Sequence, residues 1–145
     1  MVSKLLSKIV SIAEKQSDLI LLVVRWVVGL VFLQTGWGKL NNLGQVTEYF
    51  TSLGIPFAQY QAPMAAATEF LGGLFLLVGL GVRWVSVPLT VIMCVAIKTA
   101  KWAEVEELND FLGMSEFLYI VLFLTLFTRG AGRFSVDAWI RKRYL

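Results

Sequence analysis

Glu69, Lys98 and Glu116 are ionisable side chains set within or at the edge of long apolar runs, and Arg25 is a fourth. A charge at the centre of a membrane helix costs roughly 2.5–3.5 kcal/mol on insertion scales, so such residues usually face a bundle interior and either pair or carry function. A carboxylate held there can move a proton, while Lys98, Gln34 and Lys39 can donate hydrogen bonds to a carbonyl oxygen. Glu69, Lys98 and Glu116 therefore form the candidate catalytic set, and Arg25, Gln34 and Lys39 the candidate cofactor-binding set. The alternative role is architectural: opposite charges on neighbouring helices neutralise one another and set their register, with no ligand involved.

The residue inventory narrows the chemistry. The 145 residues contain no histidine and a single cysteine, Cys94. An intrachain disulfide, a CxxC couple and a His-ligated haem or zinc site are excluded, and no metal site is expected. Redox work by this chain needs a borrowed redox group. The acidic run EVEELND at 104–110 lacks the spaced glycine of a calcium loop and reads as a solvated outer face. A net charge of +3 suggests polyanions, yet the bases flank apolar runs instead of lining an aromatic-studded soluble face. Membrane orientation explains them better than nucleic acid.

The elements that must position these groups are long apolar helices. Hydrophobic residues make up 57% of the chain and charged ones 16%, with a mean hydropathy of +0.72; soluble domains are nearer about 45–50% apolar and about 25% charged. At about 20 residues per crossing, four spans fit, at about 19–38, 62–82, 84–101 and 114–129. The expected fold is all-α: one integral membrane domain over 1–145, a four-helix bundle with an amphipathic interfacial helix at each terminus. The first, over 2–16, sets Val2, Leu5, Leu6, Ile9 and Ile12 against Lys4, Lys8 and Lys15. It reads as retained, because polar EKQSD follows it and no small-residue cleavage site does. The second, over 134–145, has Ser135 as N-cap and Asp137 in its first turn. Between the first two spans, LGQVTEYFTSL forms a short outer helix stopped at Gly54-Ile55-Pro56.

Helical spacing gives each polar group an azimuth. Arg25, Gly29, Phe32, Gly36 and Lys39 share one stripe, and Ala62, Ala65, Ala66, Glu69, Gly72 and Gly73 share another. Small residues on both let the helices approach closely. At 1.5 Å per residue, Glu69, Lys98 and Gln34 lie about 20–23 Å above the inner face, Glu116 slightly higher and Arg25 only about 9 Å up. The expected site is a polar pocket near the outer surface, with Lys98 and Glu116 paired across the last two spans.

Orientation follows from the basic residues. Lys4, Lys8, Lys15, Arg83, Arg129, Arg133, Arg141, Lys142 and Arg143 fall on one side and only Lys39 and Lys101 on the other. The positive-inside rule then puts both termini in the cytoplasm, in a multi-pass protein of the cell (inner) membrane. A short internal echo, VRWV at 24–27 and 82–85 with Lys39 and Lys98 offset by 59, is compatible with two parallel hairpins.

RWVVGLVFLQTGWGKL at 25–40, the Gly54-Ile55-Pro56 turn, EFLGGLFLLVGLG at 69–81 and GAGRFSVD at 130–137 together resemble the DoxX family of membrane proteins. The resemblance covers nearly the whole chain. It implies a four-helix membrane protein with family motif residues at Arg25, Gly29, Gly36, Lys39, Glu69, Gly72, Gly73, Gly132, Ser135 and Asp137. Relatives are described as subunits of a thiosulfate:quinone oxidoreductase or as companions of superoxide-handling or peptide-modifying enzymes. By that analogy the chain is a membrane subunit of a quinone-linked redox system, with quinone as the borrowed group and a redox or modifying enzyme as partner. A non-enzymatic assembly, partner-docking or small-solute-binding protein is the alternative, and an oligomer fits either reading.

Overall fold

The computed structural model describes residues 2–144, and side chains from residue 16 onward. The chain is all-helical. Helix α1 runs Val2–Asn41, α2 Leu43–Ser52, α3 Ala58–Val78 and α4 Val82–Ala96, the last prolonged by a π-helical turn at Ile97–Lys101 and a short 3₁₀ turn. Helices α5 (Leu108–Gly113), α6 (Ser115–Arg129) and α7 (Val136–Tyr144) complete it.

Among the described residues, three stretches are long and apolar enough to cross a bilayer: Gln16–Asn41, Ala58–Val78 and Val82–Glu104. Helix α6, at 15 residues, rises only about 22 Å against a hydrocarbon thickness of about 30 Å. The expected helix over 2–16 is continuous with the first span, so α1 has 40 residues and a length of about 60 Å. Its expected division into apolar and basic faces lies outside the described side chains.

The helices pack in two antiparallel pairs. In the first, α1 and α3 touch backbone to backbone. A Cβ on Gly36 would strike the Phe70 backbone, and one on Gly73 would strike the Leu33 nitrogen and the Gly29 carbonyl. Only glycine permits that approach, and the seven-residue spacings 29/36 and 66/73 place the small residues on one stripe of each helix. In the second pair α4 packs along α6. The pairs meet over a core that includes Val28, Phe32, Leu76, Leu89, Phe123 and Leu126. Phe32 stands edge-on to Tyr119 at 5.2 Å and to Phe123 at 5.1 Å between ring centroids. Trp26, Leu30, Leu71, Trp84, Val91 and Leu124 are exposed. In water that belt would be unstable; in lipid it is the solvated surface.

The two ends differ. At the base, where α3 turns into α4, the segment after α6 folds back on the bundle. Gly79 ends α3 at φ 73°; its N–H and that of Leu80 bond the Phe75 carbonyl, and a Cβ there would collide with Arg25 Nη1 and Ser135. Asp137 accepts from the N–H groups of Gly81 and Val82 at 2.8 and 3.2 Å, capping α4 from across the chain. Ser135 Oγ accepts from Ala138 N–H at 3.1 Å, the N-cap role its position suggests. Arg133 N–H reaches Asp18 Oδ1 at 3.0 Å. The GAGRFSVD motif thus closes the base.

At the far end α2 lies across the bundle. It stops as expected at Gly54, φ 72°, where Gly54 N–H bonds Thr51 O at 3.0 Å and Ile55 N–H bonds Phe50 O at 3.0 Å, a Schellman termination. Asp110, in the acidic run, accepts from Glu107 N–H at 2.9 Å and shares a capping box with Glu107 at the start of α5.

Candidate functional site

Lys39, in the last turn of α1, donates to Glu69 of α3 at 2.6 Å. Glu69 is 1% exposed and Lys39 35%, so the carboxylate is desolvated while the ammonium keeps partial access to the far end. The second carboxylate oxygen, Glu69 Oε2, is buried and has no hydrogen-bond partner. A buried carboxylate oxygen left unpaired is costly, and in native proteins such groups call for a ligand, a proton or a water.

Both residues line a cavity of about 970 Å³ between the two helix pairs. Its upper size matches small-molecule sites, which run about 300–1,000 Å³. The deeper walls are apolar: Val31 and Phe32 of α1, Val87, Val91 and Ile92 of α4. Polar groups gather toward the far end, where Lys39, Glu69, Glu116, Lys101, Gln45 and Tyr49 contribute to the lining. Helix α2 roofs this end with Gln45, Val46, Tyr49 and Phe50. The shape is that of a site for a molecule with a polar head and an apolar body.

Of the residues singled out by sequence, Glu69, Lys39 and Glu116 meet at this cavity. Lys39 belongs to the stripe that spacing assigns to it; Arg25, Val28, Phe32 and Gly36 are buried on the same side. Glu116 sits in the first turn of α6, where a carboxylate complements the helix dipole, and accepts from Ser115 Oγ at 3.1 Å.

Lys98, Gln34 and Arg25 are placed elsewhere. Lys98 is exposed, and the expected ion pair between it and Glu116 does not form. The buried stripe of α4 is Val82, Ser86, Leu89 and Met93, continued by Ile97, which turns the Cys94–Lys98 stripe outward. Gln34 is exposed on the side of α1 opposite Phe32. Arg25 lies at the base, buried, with Nη2 donating to the Phe134 carbonyl at 2.6 Å. Fourteen residues of helix, about 21 Å, separate it from Lys39. The echo between Lys39 and Lys98 is likewise lost, since one points in and the other out.

Sequence reasoning missed the Tyr119 ring and the residues of α2. Tyr119 lines the cavity against Phe32, and its hydroxyl makes no hydrogen bond among the described residues. The available signal was its spacing, three residues after Glu116 and on the same face of α6. For α2, the amphipathic order of Val46, Tyr49, Phe50 and Leu53 marks an apolar face that needed cover.

Comparison with known proteins identifies a family and several relatives. The family model described as DoxX matches residues 20–102. The chain is 25% identical over 131 residues to "Inner membrane protein YqjF" of Escherichia coli, covering 90% of this chain and 99% of that one. It is 29% identical over 113 residues to "Putative oxidoreductase CatD" of Bacillus subtilis, covering 78% and 79%. A third relative, "Uncharacterized membrane protein Rv3486" of Mycobacterium tuberculosis, is 33% identical over 132 residues, covering 83% and 80%. No solved structure matches the chain.

Proposed function

The chain belongs to the DoxX family, and on that premise we propose that it is the membrane subunit of a quinone-linked redox system, holding a quinone head at Lys39 and Glu69. The observation that carries this reading is Glu69 Oε2, a buried carboxylate oxygen without a partner on the wall of a largely apolar cavity of about 970 Å³. The relative named as an oxidoreductase supports the redox class.

A bound quinone supplies two-electron, two-proton chemistry that no side chain here provides. Lys39 orients a carbonyl oxygen by hydrogen bonding and stabilises charge that develops on it. Glu69 holds or releases a proton at Oε2, and its burial ties that proton to the occupant of the cavity. Glu116 and the Tyr119 hydroxyl are the next polar groups along the wall. Electrons come from a partner enzyme at a membrane surface.

In this reading α6 is the fourth span, its short length made up by α5 and the segment before α7, so that the fold is a four-helix bundle. Both termini are cytoplasmic, the membrane is the inner one, and the cavity mouth under α2 faces outward. The nine bases on the base side, against Lys39 and Lys101 on the other, support that orientation.

Solvent extraction of the protein purified in mild detergent, followed by mass spectrometry, tests the reading. Quinone near one per chain is expected from the wild type, falling about tenfold, or roughly 1.4 kcal/mol, in Glu69→Gln and Lys39→Met. Wild-type protein free of quinone that also fails to take it up on addition overturns the proposal. The exposed Phe57 and Tyr60, at the same end as Glu104, Glu106, Glu107 and Asp110, favour a second reading as a partner-docking protein. Stable copurification of another protein without quinone would select it.

A further inference from the structure

We propose that the cavity is loaded sideways from the bilayer, through a portal between α3 and α4, and that its ligand is an amphiphile whose tail remains in lipid. The proposal rests on the reading of the cavity as a ligand site and adds the route and the class of molecule.

Four observations carry it. First, α3 and α4 are sealed in their base half, where Gly72 lies so close to Leu89 that a Cβ would sit 3.0 Å from its side chain. Second, beyond that seal residues of both helices line the cavity and reach the outer surface: Met64 of α3 is 65% exposed and Val91 of α4 55%. Val95 has the same double character. A residue that borders an internal space and also faces outward marks an opening. Third, these three belong to helices long and apolar enough to cross the membrane, so the opening faces hydrocarbon along much of its length. Fourth, no comparable gap exists between α1 and α3, whose backbones touch at Gly36 and Gly73.

The chemistry of the wall selects the occupant. The charged groups lie toward the far end of the cavity and the portal side is mainly aliphatic, its Thr68 and Thr99 hydroxyls being bonded to the Met64 and Val95 carbonyls, so a head settles at Lys39 and Glu69 while a chain leaves between α3 and α4. Moving an alkyl tail from lipid to an aliphatic wall gains little, because lipid is already as apolar as leucine. Affinity then resides in the head, and the portal serves to let the tail stay where it is. A molecule with a long tail can dock only if that seam is open; a tailless head does not depend on it.

The test uses full-length protein in lipid nanodiscs and three probes: a decyl-tailed benzoquinone, the same benzoquinone without a tail, and a decyl amphiphile with a non-quinone polar head. Val91→Trp and Met64→Trp plug the portal from its two walls at exposed positions, and Val121→Trp, exposed on α6 and away from the cavity, is the control. Each plug is expected to weaken decyl-benzoquinone at least tenfold, to change the tailless head less than twofold, and to match the control for folding. If the decyl amphiphile binds the wild type as well as decyl-benzoquinone does, and both are blocked by the plugs, the portal stands and the quinone reading falls. If the plugs leave tailed probes unaffected, or weaken tailed and tailless probes alike, the lateral route is overturned; so too if no tailed probe binds the wild type.

Discussion

Arg25 Nη2 donates to the Phe134 carbonyl over 2.6 Å, tying the first span to a segment 109 residues later. Gly79 provides the room: the Arg25 guanidinium occupies the space a Cβ at that position would need. The buried cation of the first span therefore works as a closure of the base. Gly79→Ala should destabilise the protein through both its positive φ, worth about 1–2 kcal/mol, and displacement of Arg25. Gly81→Ala, also at positive φ but with open space around it, should lose the backbone share alone. Thermal unfolding in detergent compares the two, and equal losses would show that the Arg25 contact contributes nothing.

Asp137 caps α4 from outside the helix. Asp137→Ala should cost about 0.5–2 kcal/mol, the range for loss of a cap, and should free α7. Limited proteolysis would then cut near the C-terminus faster than in the wild type, while the membrane-embedded core stays protected. An unchanged cleavage rate would mean that α7 is held by other contacts.

The Lys39–Glu69 pair should behave as one unit. Lys39→Met strands a buried carboxylate and should destabilise more than Glu69→Gln, which leaves a neutral group able to hydrogen-bond. The loss stays below the about 3–5 kcal/mol of a fully buried pair, because Lys39 retains 35% exposure. The double variant should recover part of the Lys39→Met loss. Additive melting-temperature shifts across the cycle would contradict the coupling.

Gly36 and Gly38 lie two residues apart with opposite expectations. Gly36→Ala drives a methyl into the Phe70 backbone and should separate α1 from α3, lowering the yield of folded protein. Gly38→Ala meets nothing within 4 Å and should leave the fold intact, stabilising it by up to about 1 kcal/mol through helix propensity. Size-exclusion behaviour and circular dichroism in detergent distinguish them.

The proposed orientation is open to labelling. In a Cys94→Ser background, cysteines at Gln45 and Glu106 should react with an impermeant maleimide from outside intact cells, and one at Arg141 should react only after lysis. Reaction of the Arg141 position in intact cells would reverse the topology.

Much of this protein follows from helical period and local chain chemistry. The apolar runs, the stripe joining Arg25, Gly29, Phe32, Gly36 and Lys39, the small-residue stripe through Glu69, the stop at Gly54 and the cap at Ser135 all depend on neighbours within a few residues. Their geometry is therefore legible without knowledge of the rest of the chain. Which cation meets Glu69 is different. Lys98 and Lys39 both fall in the outer halves of their spans, but period fixes a side chain's direction only about its own helix axis. In α4 both the Met93–Ile97 stripe and the Cys94–Lys98 stripe are flanked by apolar residues, so nothing local says which faces the bundle. Packing against α6 chose the first and sent Lys98 outward, while the backbone contact of Gly36 with α3 brought Lys39 onto Glu69. The same holds for α2, whose apolar face is local information but whose place across the cavity exists only because α1 and α3 leave that end uncovered.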